Sequence, residues 1–441
     1  MKRRTLLAGA AALATAPAAA QSGRTRIVFW HAMNGALNDE VNRMCAAFNA
    51  AQAEAEIVPV FKGLYPETLT AAIAAWRAGQ APHLVQMFEV GTGSMLAAGP
   101  AVKQTWQLIQ ETGVAIDPAA YLGAVKGYYS LPDGRLASMP FNSSTAVLWI
   151  NQDAFEKAGL DPAKPPATWA EVQVAADAIK AKSAAPTAVT TSWFPWIQLE
   201  QFAAMHNLPF ATKANGFEGL DSELRVNAAP FVKQLSRILD MGKAGTFRYA
   251  GRDNGPDPLF YSGEAAIAFM SSGARGDVVK NAKFRWKESP LPYDPELTTA
   301  PNNSVIGGAS LWTMTAPNRT PVEYKGVAQF LQFIARPEQD AAWHQRTGYV
   351  PVTFAGYEES RREGYYDKNP GADVPIQQLT RGQVNENSRG FRLGRMTELR
   401  NIVYEETERA FQGQQGAQAA LDNVVGRGNR VLREFERANR A

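Results

Sequence analysis

The chain opens with apolar and polar positions that alternate between two periods. Ile27-Val28-Phe29-Trp30 is a short apolar run of strand type, and Leu37 to Ala51 places Val41, Met44, Cys45 and Phe48 at helical spacing. Glu56 to Val60 predicts a second strand. Pro66 starts a helix through Trp76 that Gly79 stops, and His83 to Phe88 predicts a third strand. This βαβαβ order predicts a largely parallel, doubly wound sheet. Ligands of such sheets bind beyond the carboxyl ends of the strands, which singles out the loops His31 to Gly35, Lys62 to Pro66 and Glu89 to Ser94.

Further along, the polar cluster Asn142-Ser143-Ser144-Thr145 stands directly before the apolar run Ala146 to Ile150. Asn and Ser bond their own backbone in turns, so the cluster fits a turn; it equally fits a crossing of a ligand cleft. A Pro-rich connector, Gly159 to Pro166, leads to a helix opening at Thr168, with Glu171 three residues on as the second half of a capping box. Helices dominate from there to about Asn302, among them Trp196 to His206 and Ala229 to Lys243. Short strands are expected at Thr187 to Thr191 and Ala266 to Met270. A strand Ala309 to Thr315 follows Gly307-Gly308, helices run from Val322 through Gln345, and long helical segments extend from Arg395 to Glu436. No internal repeat interrupts this order. The pattern describes two α/β lobes with several crossings between them.

Composition adds an address. The first residues, MKRRTLLAGAAALATAPAAA, join a basic start, a short apolar stretch and small residues at the end, so residues 1–20 are expected to be a signal peptide with cleavage near Gln21. Adjacent arginines suit twin-arginine export as well as the general secretory route. No cysteine follows to carry a lipid. The leader holds three of the 45 basic residues and none of the 42 acidic ones, leaving 42 of each sign. A chain so balanced has no general attraction to nucleic acid or anionic membranes. Cys45 is the only cysteine, so no intramolecular disulfide forms, and its helical spacing predicts burial rather than reactivity. No later run approaches the roughly 20 apolar residues of a membrane span.

Motifs for chemistry are few. The four histidines (His31, His83, His206 and His344) have no metal-ligand spacing, and there is no nucleophile elbow, phosphate loop or dinucleotide fingerprint. What stands out is polar and aromatic residues at element ends. Tyr65 begins a helix, where it either packs on the surface or faces a cleft. Glu89 ends an apolar strand, solvated or at a site. Ser271-Ser272-Gly273 after a strand reads as a helix cap or as a contact. Gly307-Gly308 is a bulge or a place of close backbone approach. Trp193 and Trp196 are core residues or a binding wall, and Arg400 is a helix-surface residue or an anion ligand.

Taken together, these segments carry a resemblance. PFNSSTAVLWINQDAFEKAGLDPAKPPATW, GGASLW and WHQRTGYVPV resemble signatures of the extracellular solute-binding proteins that feed ABC importers. FWHAMNG, KGLYPET, EVGTG, SWFPWIQLE, HNLPF, SSG, KNPGAD and RLGRM follow in the order of the members that take glycerol phosphates. The resemblance implies a type II, maltose-binding-protein-like fold, with a ligand cleft between two lobes joined by hinge crossings. Residues 21–143 and 304–350 would form the first lobe, and 144–303 with 351–441 the second, helix-rich one. It also implies a periplasmic monomer that needs no cofactor or metal and catalyses nothing. Its ligand would be glycerol 3-phosphate or a glycerophosphodiester such as glycerophosphocholine, and its partners the permease and ATPase subunits of an importer. An oligosaccharide-binding protein of the same fold is the alternative, and a secreted hydrolase of glycerophosphodiesters or glycosides a more distant one.

Carried over by position, the implied ligand contacts are Tyr65, Glu89, Ser144, Ser271, Gly308, Tyr349 and Arg400, with Trp193 and Trp196 on the cleft wall. The sequence departs from the family at Phe194-Pro195, between the tryptophans, and carries Asn207 where a glycine is usual. Arg400 is expected to grip a phosphate with a bidentate fork, aided by hydroxyls of Ser144, Ser271 and Tyr349 and the Gly308 N–H. Glu89 would repel phosphate and so would accept bonds from glycerol hydroxyls. The tryptophans would cover the glycerol carbons or meet a quaternary ammonium. In this reading the polar cluster is a crossing in which Ser144 touches the ligand while Asn142 and Ser143 form a turn.

Overall fold

The computed structural model describes residues 23–440, so the leader expected over residues 1–20 lies outside the described residues. Strands β1 (Thr25–His31), β2 (Ala55–Phe61), β3 (Leu84–Phe88), β4 (Val102–Lys103) and β5 (Met139–Ser144) belong to a first sheet. Strands β6 (Ala146–Asn151), β7 (Thr187–Thr191), β8 (Phe247–Arg248), β9 (Ala265–Ser271) and β10 (Trp286–Ser289) form a second, and β11 (Gly307–Met314) returns to the first. The first sheet runs β2-β1-β3-β11-β4 with β5 beside β11; β1 pairs in parallel with β2 and β3, as the βαβαβ pattern predicts. The second runs β10-β6-β9-β7-β8.

Each sheet is covered by helices that follow from their spacing. The helix Gly35–Ala51 buries Val41, Cys45 and Phe48 against the first sheet. Cys45 is 1% exposed, and burial pushes its thiol well above its ordinary pKa, so it is an apolar filler. In the second lobe Thr168 and Glu171 close the expected capping box on the helix Trp169–Ala181, and the helix Ala229–Lys243 buries Phe231, Leu235 and Ile238. The helices expected from Val322 through Gln345 are Pro321–Ile334 and Pro337–Thr347, divided at Pro337, which has no N–H with which to continue the first. The expected helix Trp196 to His206 begins instead as a π-wound turn, Pro195–Glu200, and becomes α-helical only over Gln201–Met205.

The lobes are joined where the polar cluster lies. β5 ends at Ser144 in the first sheet, Thr145 crosses, and β6 begins at Ala146 in the second. Asn142 and Ser143 are therefore extended strand rather than a turn, paired with Ala309 and Gly308 of β11. A second crossing precedes β11. There the Val305 carbonyl accepts bonds from Thr145 Oγ1 (3.0 Å) and Gln201 Nε2 (2.9 Å). The Val305 N–H donates to Gln201 Oε1 at 3.0 Å. Gln378 completes the clamp: its amide donates to the Ala146 carbonyl (2.9 Å) and accepts from the Leu291 N–H (2.8 Å).

The last crossing comes later than residue 351. Asp340 accepts bonds from Val352 N, Thr353 N and Thr353 Oγ1 at 3.0, 2.9 and 2.6 Å, which ties this segment back to the helix Pro337–Thr347. The following helix, Phe354–Arg362, packs on that same helix and stays with the first lobe. Only the helix Val374–Leu379 reaches β6, and the helices Met396–Phe411 and Ala417–Asn439 then complete the second lobe.

Candidate ligand-binding site

A cleft of about 300 Å³ lies between the lobes at the carboxyl ends of β1, β2 and β3. All nine residues singled out in the sequence line it: Tyr65, Glu89, Ser144, Trp193, Trp196, Ser271, Gly308, Tyr349 and Arg400. The three loops picked out by the sheet pattern contribute too, through Asn34, Leu64 and Glu89.

One end of the cleft is an ion-pair cluster that joins the lobes. Arg400, on the helix Met396–Phe411, donates from Nε and Nη2 to Glu200 at 2.8 and 2.7 Å, and from Nη2 to Glu89 at 2.8 Å. Glu200 is fully buried and Glu89 4% exposed. Burial raises the Glu89 carboxyl above its ordinary range; Arg400 opposes this and Glu200 adds to it. Burial alone would pull the Arg400 guanidinium down, but Glu200 and Glu89 hold it well above its ordinary value. The fork expected to grip a phosphate is thus already closed on Glu200, and two carboxylates outweigh one guanidinium. Only Nη1, which makes no hydrogen bond among the described residues, is left to a ligand. Sequence reasoning missed Glu200, which reads as one more residue of an amphipathic helix; it stands at the end of the π-wound turn.

The other end is neutral and rich in donors. Ser271 Oγ accepts the Gly273 N–H at 3.1 Å, which leaves its own proton to donate. A methyl group at Gly273 would sit 3.1 Å from the Tyr349 ring, so serine, glycine and tyrosine are packed together. Ser144 lies one residue before the crossing, and its hydroxyl makes no hydrogen bond to another protein group among the described residues. Tyr65 spans the two ends. Its ring stacks on Phe88 (5.2 Å, 6°), and its Oη accepts from Asn142 Nδ2 at 3.0 Å, while Asn142 Oδ1 accepts from Gln86 at 2.8 Å. Asn142 is thus a bracket for Tyr65. Burial pushes the Tyr349 hydroxyl up to about 12, so it stays protonated as a donor.

The tryptophans form the second-lobe wall. The departure at Phe194-Pro195 points away from the cleft: Phe194 is buried edge-on against Tyr249 and Phe411, and Pro195 opens the π-wound turn. Trp193 has a φ of +45°, a strained conformation for a bulky residue. It is held there by a 2.7 Å bond from its N–H to the Asp253 carbonyl, and Asp253 in turn is bonded to Tyr404. Trp196 lies flat on β11, where a side chain at Gly307 would meet its ring at 2.5 Å. Gly308, at φ +103°, brings the strand close to Asn142; the bulge suggested by the glycine pair falls one residue further on, between Ala309 and Ser310. Asn254, Asp257, Tyr261 and Asp277 also line the second-lobe side. None of the four stands out in the sequence; Asn254 and Asp257 lie in GRDNGPDP, a stretch of turn-forming residues. Among the described residues no cluster of histidine, cysteine or carboxylate side chains is arranged to hold a metal ion, and no helix is long and apolar enough to cross a membrane.

Two lobes, crossing strands and a polar cleft define a solute-binding protein, and residues 43–361 match the bacterial extracellular solute-binding protein family, to which this chain belongs. Among its relatives is the sn-glycerol-3-phosphate-binding periplasmic protein UgpB of Pectobacterium atrosepticum, 44% identical over 98% of this chain and 97% of that one. The protein of that name from Escherichia coli O1:K1 is 43% identical over the full length of both. Of known structures, UgpB from Mycobacterium tuberculosis in complex with glycerophosphocholine superimposes with a TM-score of 0.79 at 20% identity, covering 94% of this chain and all of that one. Maltose-bound MalE3 of T. maritima gives 0.73 at 16% identity, over 93% and 100%. These likenesses establish the maltose-binding-protein-like fold.

Proposed function

We propose that this chain is a periplasmic substrate-binding protein that captures sn-glycerol 3-phosphate, or a diester of it, and delivers it unchanged to the permease and ATPase of an ABC importer. The observation that carries the reading is the convergence of all nine expected contact residues on one interlobe cleft. Relatives of 43–44% identity that bear the name of a glycerol-3-phosphate-binding protein supply the ligand class.

The charges set the ligand's direction. A phosphate beside Glu89 and Glu200 would meet net negative charge, so it belongs at the donor end with Ser144, Ser271, Tyr349 and the Gly308 N–H. The glycerol hydroxyls then bridge Glu89 and Arg400 Nη1, and the tryptophans cover the carbons. Both lobes contribute, which is what closure by a ligand requires, since only contacts stronger in the closed state shift the equilibrium.

Ser271→Ala is expected to weaken glycerol 3-phosphate by about tenfold or more, the usual worth of a hydrogen bond to a charged group, and to cost about 1 kcal/mol of stability through the lost cap on the Gly273 N–H. Tryptophan fluorescence titration measures this; an unchanged affinity would rule out the proposed phosphate position. Phosphorus NMR of glycerophosphocholine held with the protein should show the diester intact after hours, whereas a growing glycerol 3-phosphate signal would mark a hydrolase.

A further inference from the structure

The second-lobe wall carries charge that the phosphate does not use. Asp257 opens the short helix Asp257–Tyr261 and lines the cleft. It is 8% exposed, and its Oδ1 is buried and accepts no hydrogen bond. Burial pushes its carboxyl up to about 7; neighbouring Ser192 opposes this and Asp277 adds to it, and among the described residues it enters no ion pair. Asp277, on the helix Arg275–Asn281, lines the same stretch. It is exposed and enters no ion pair among the described residues. Tyr261 lines the cleft beside them, and both carboxylates add to burial in raising its hydroxyl pKa. Trp193, fixed in its strained conformation, completes the wall.

A bare phosphate monoester gains nothing from these two acidic groups, and the negative charge they carry lowers its affinity. A ligand that is anionic at one end and cationic at the other meets donors at the first and carboxylates with aromatic faces at the second. We infer that Asp257 and Asp277, with the rings of Trp193 and Tyr261, form a subsite for an alkylammonium head group, so that a zwitterionic glycerophosphodiester is bound in preference to glycerol 3-phosphate. This rests on the phosphate placement above and adds to it the residues that choose the ester's second alcohol.

The test is calorimetry with glycerophosphocholine, glycerophosphoglycerol and glycerol 3-phosphate. The first two are the same phosphodiester with a charged and a neutral head. The protein should bind glycerophosphocholine at least about tenfold more tightly than glycerophosphoglycerol, the worth of one good cation contact. Asp257→Asn with Asp277→Asn should remove that preference and change glycerophosphoglycerol by less than about threefold. Asp277→Asn alone, at an exposed position, should remove part of it. Equal binding of the two diesters, or a preference that survives both substitutions, would overturn the inference and leave the phosphate placement standing. Binding of none of the three would overturn both.

Discussion

Arg400→Ala is expected to lower folding stability by about 3–5 kcal/mol. The argument starts from burial: Arg400, Glu89 and Glu200 are each less than a tenth exposed, and the guanidinium makes three charge-assisted bonds to the two carboxylates. Removing it strands two negative charges beside each other in a low-dielectric site. Part of the loss should return when the carboxylates are neutralised, so Arg400→Ala combined with Glu89→Gln and Glu200→Gln should be more stable than Arg400→Ala alone. Urea unfolding at neutral pH, read as a change of midpoint at constant slope, measures it. A loss below about 1 kcal/mol would show that the cluster is solvated and open. Because the pair with Glu89 joins the lobes, any affinity lost in this variant reports on lobe geometry as well as on ligand contact.

Gly308→Ala should be nearly as damaging, by about 3 kcal/mol or more, for a different reason. At φ +103° an L side chain is strained, and its Cβ would lie 2.1 Å from the Asn142 carbonyl oxygen and 3.1 Å from the Ser143 backbone. Both neighbours are main chain, so no side chain can turn aside; β5 must move off β11. That displaces Asn142, hence Tyr65, and Ser144 beside the crossing. Gly113→Ala is the control. Gly113 also has positive φ (+70°), ending the helix Thr105–Thr112, but its added methyl would meet nothing within 4 Å. It should cost only about 1 kcal/mol. Thermal unfolding of both variants separates close approach from conformational strain, and equal losses would contradict the account.

Much of this was legible in the sequence where a single physical signal decides. Helical spacing around Cys45 and the apolar strand runs around Phe29 and Val85 gave the first lobe's elements and the edge at which the cleft opens. The capping box at Thr168 placed a helix start to the residue. The unread parts depend on partners far along the chain. Asn142 and Ser143 carry turn-forming side chains, yet the hydrogen-bonding demand of β11, more than 160 residues on, draws them into a strand. Glu200 meets Arg400 from the end of the π-wound turn Pro195–Glu200, which helical periodicity cannot foresee. The grip of Glu200 on Arg400 likewise spans 200 residues, so an arginine that seemed free for phosphate is committed elsewhere. Asp340, a buried carboxylate, ties Val352 and Thr353 back to its helix through three bonds that no local pattern announces.

Calorimetric titration of the protein with glycerol 3-phosphate, glycerol and maltose in parallel tests the central claim most directly. The account predicts saturable one-to-one binding of glycerol 3-phosphate and no heat with the other two, because the phosphate supplies the charge-assisted bonds at the donor end. Binding of maltose with none of glycerol 3-phosphate would keep the fold and contradict the assigned ligand.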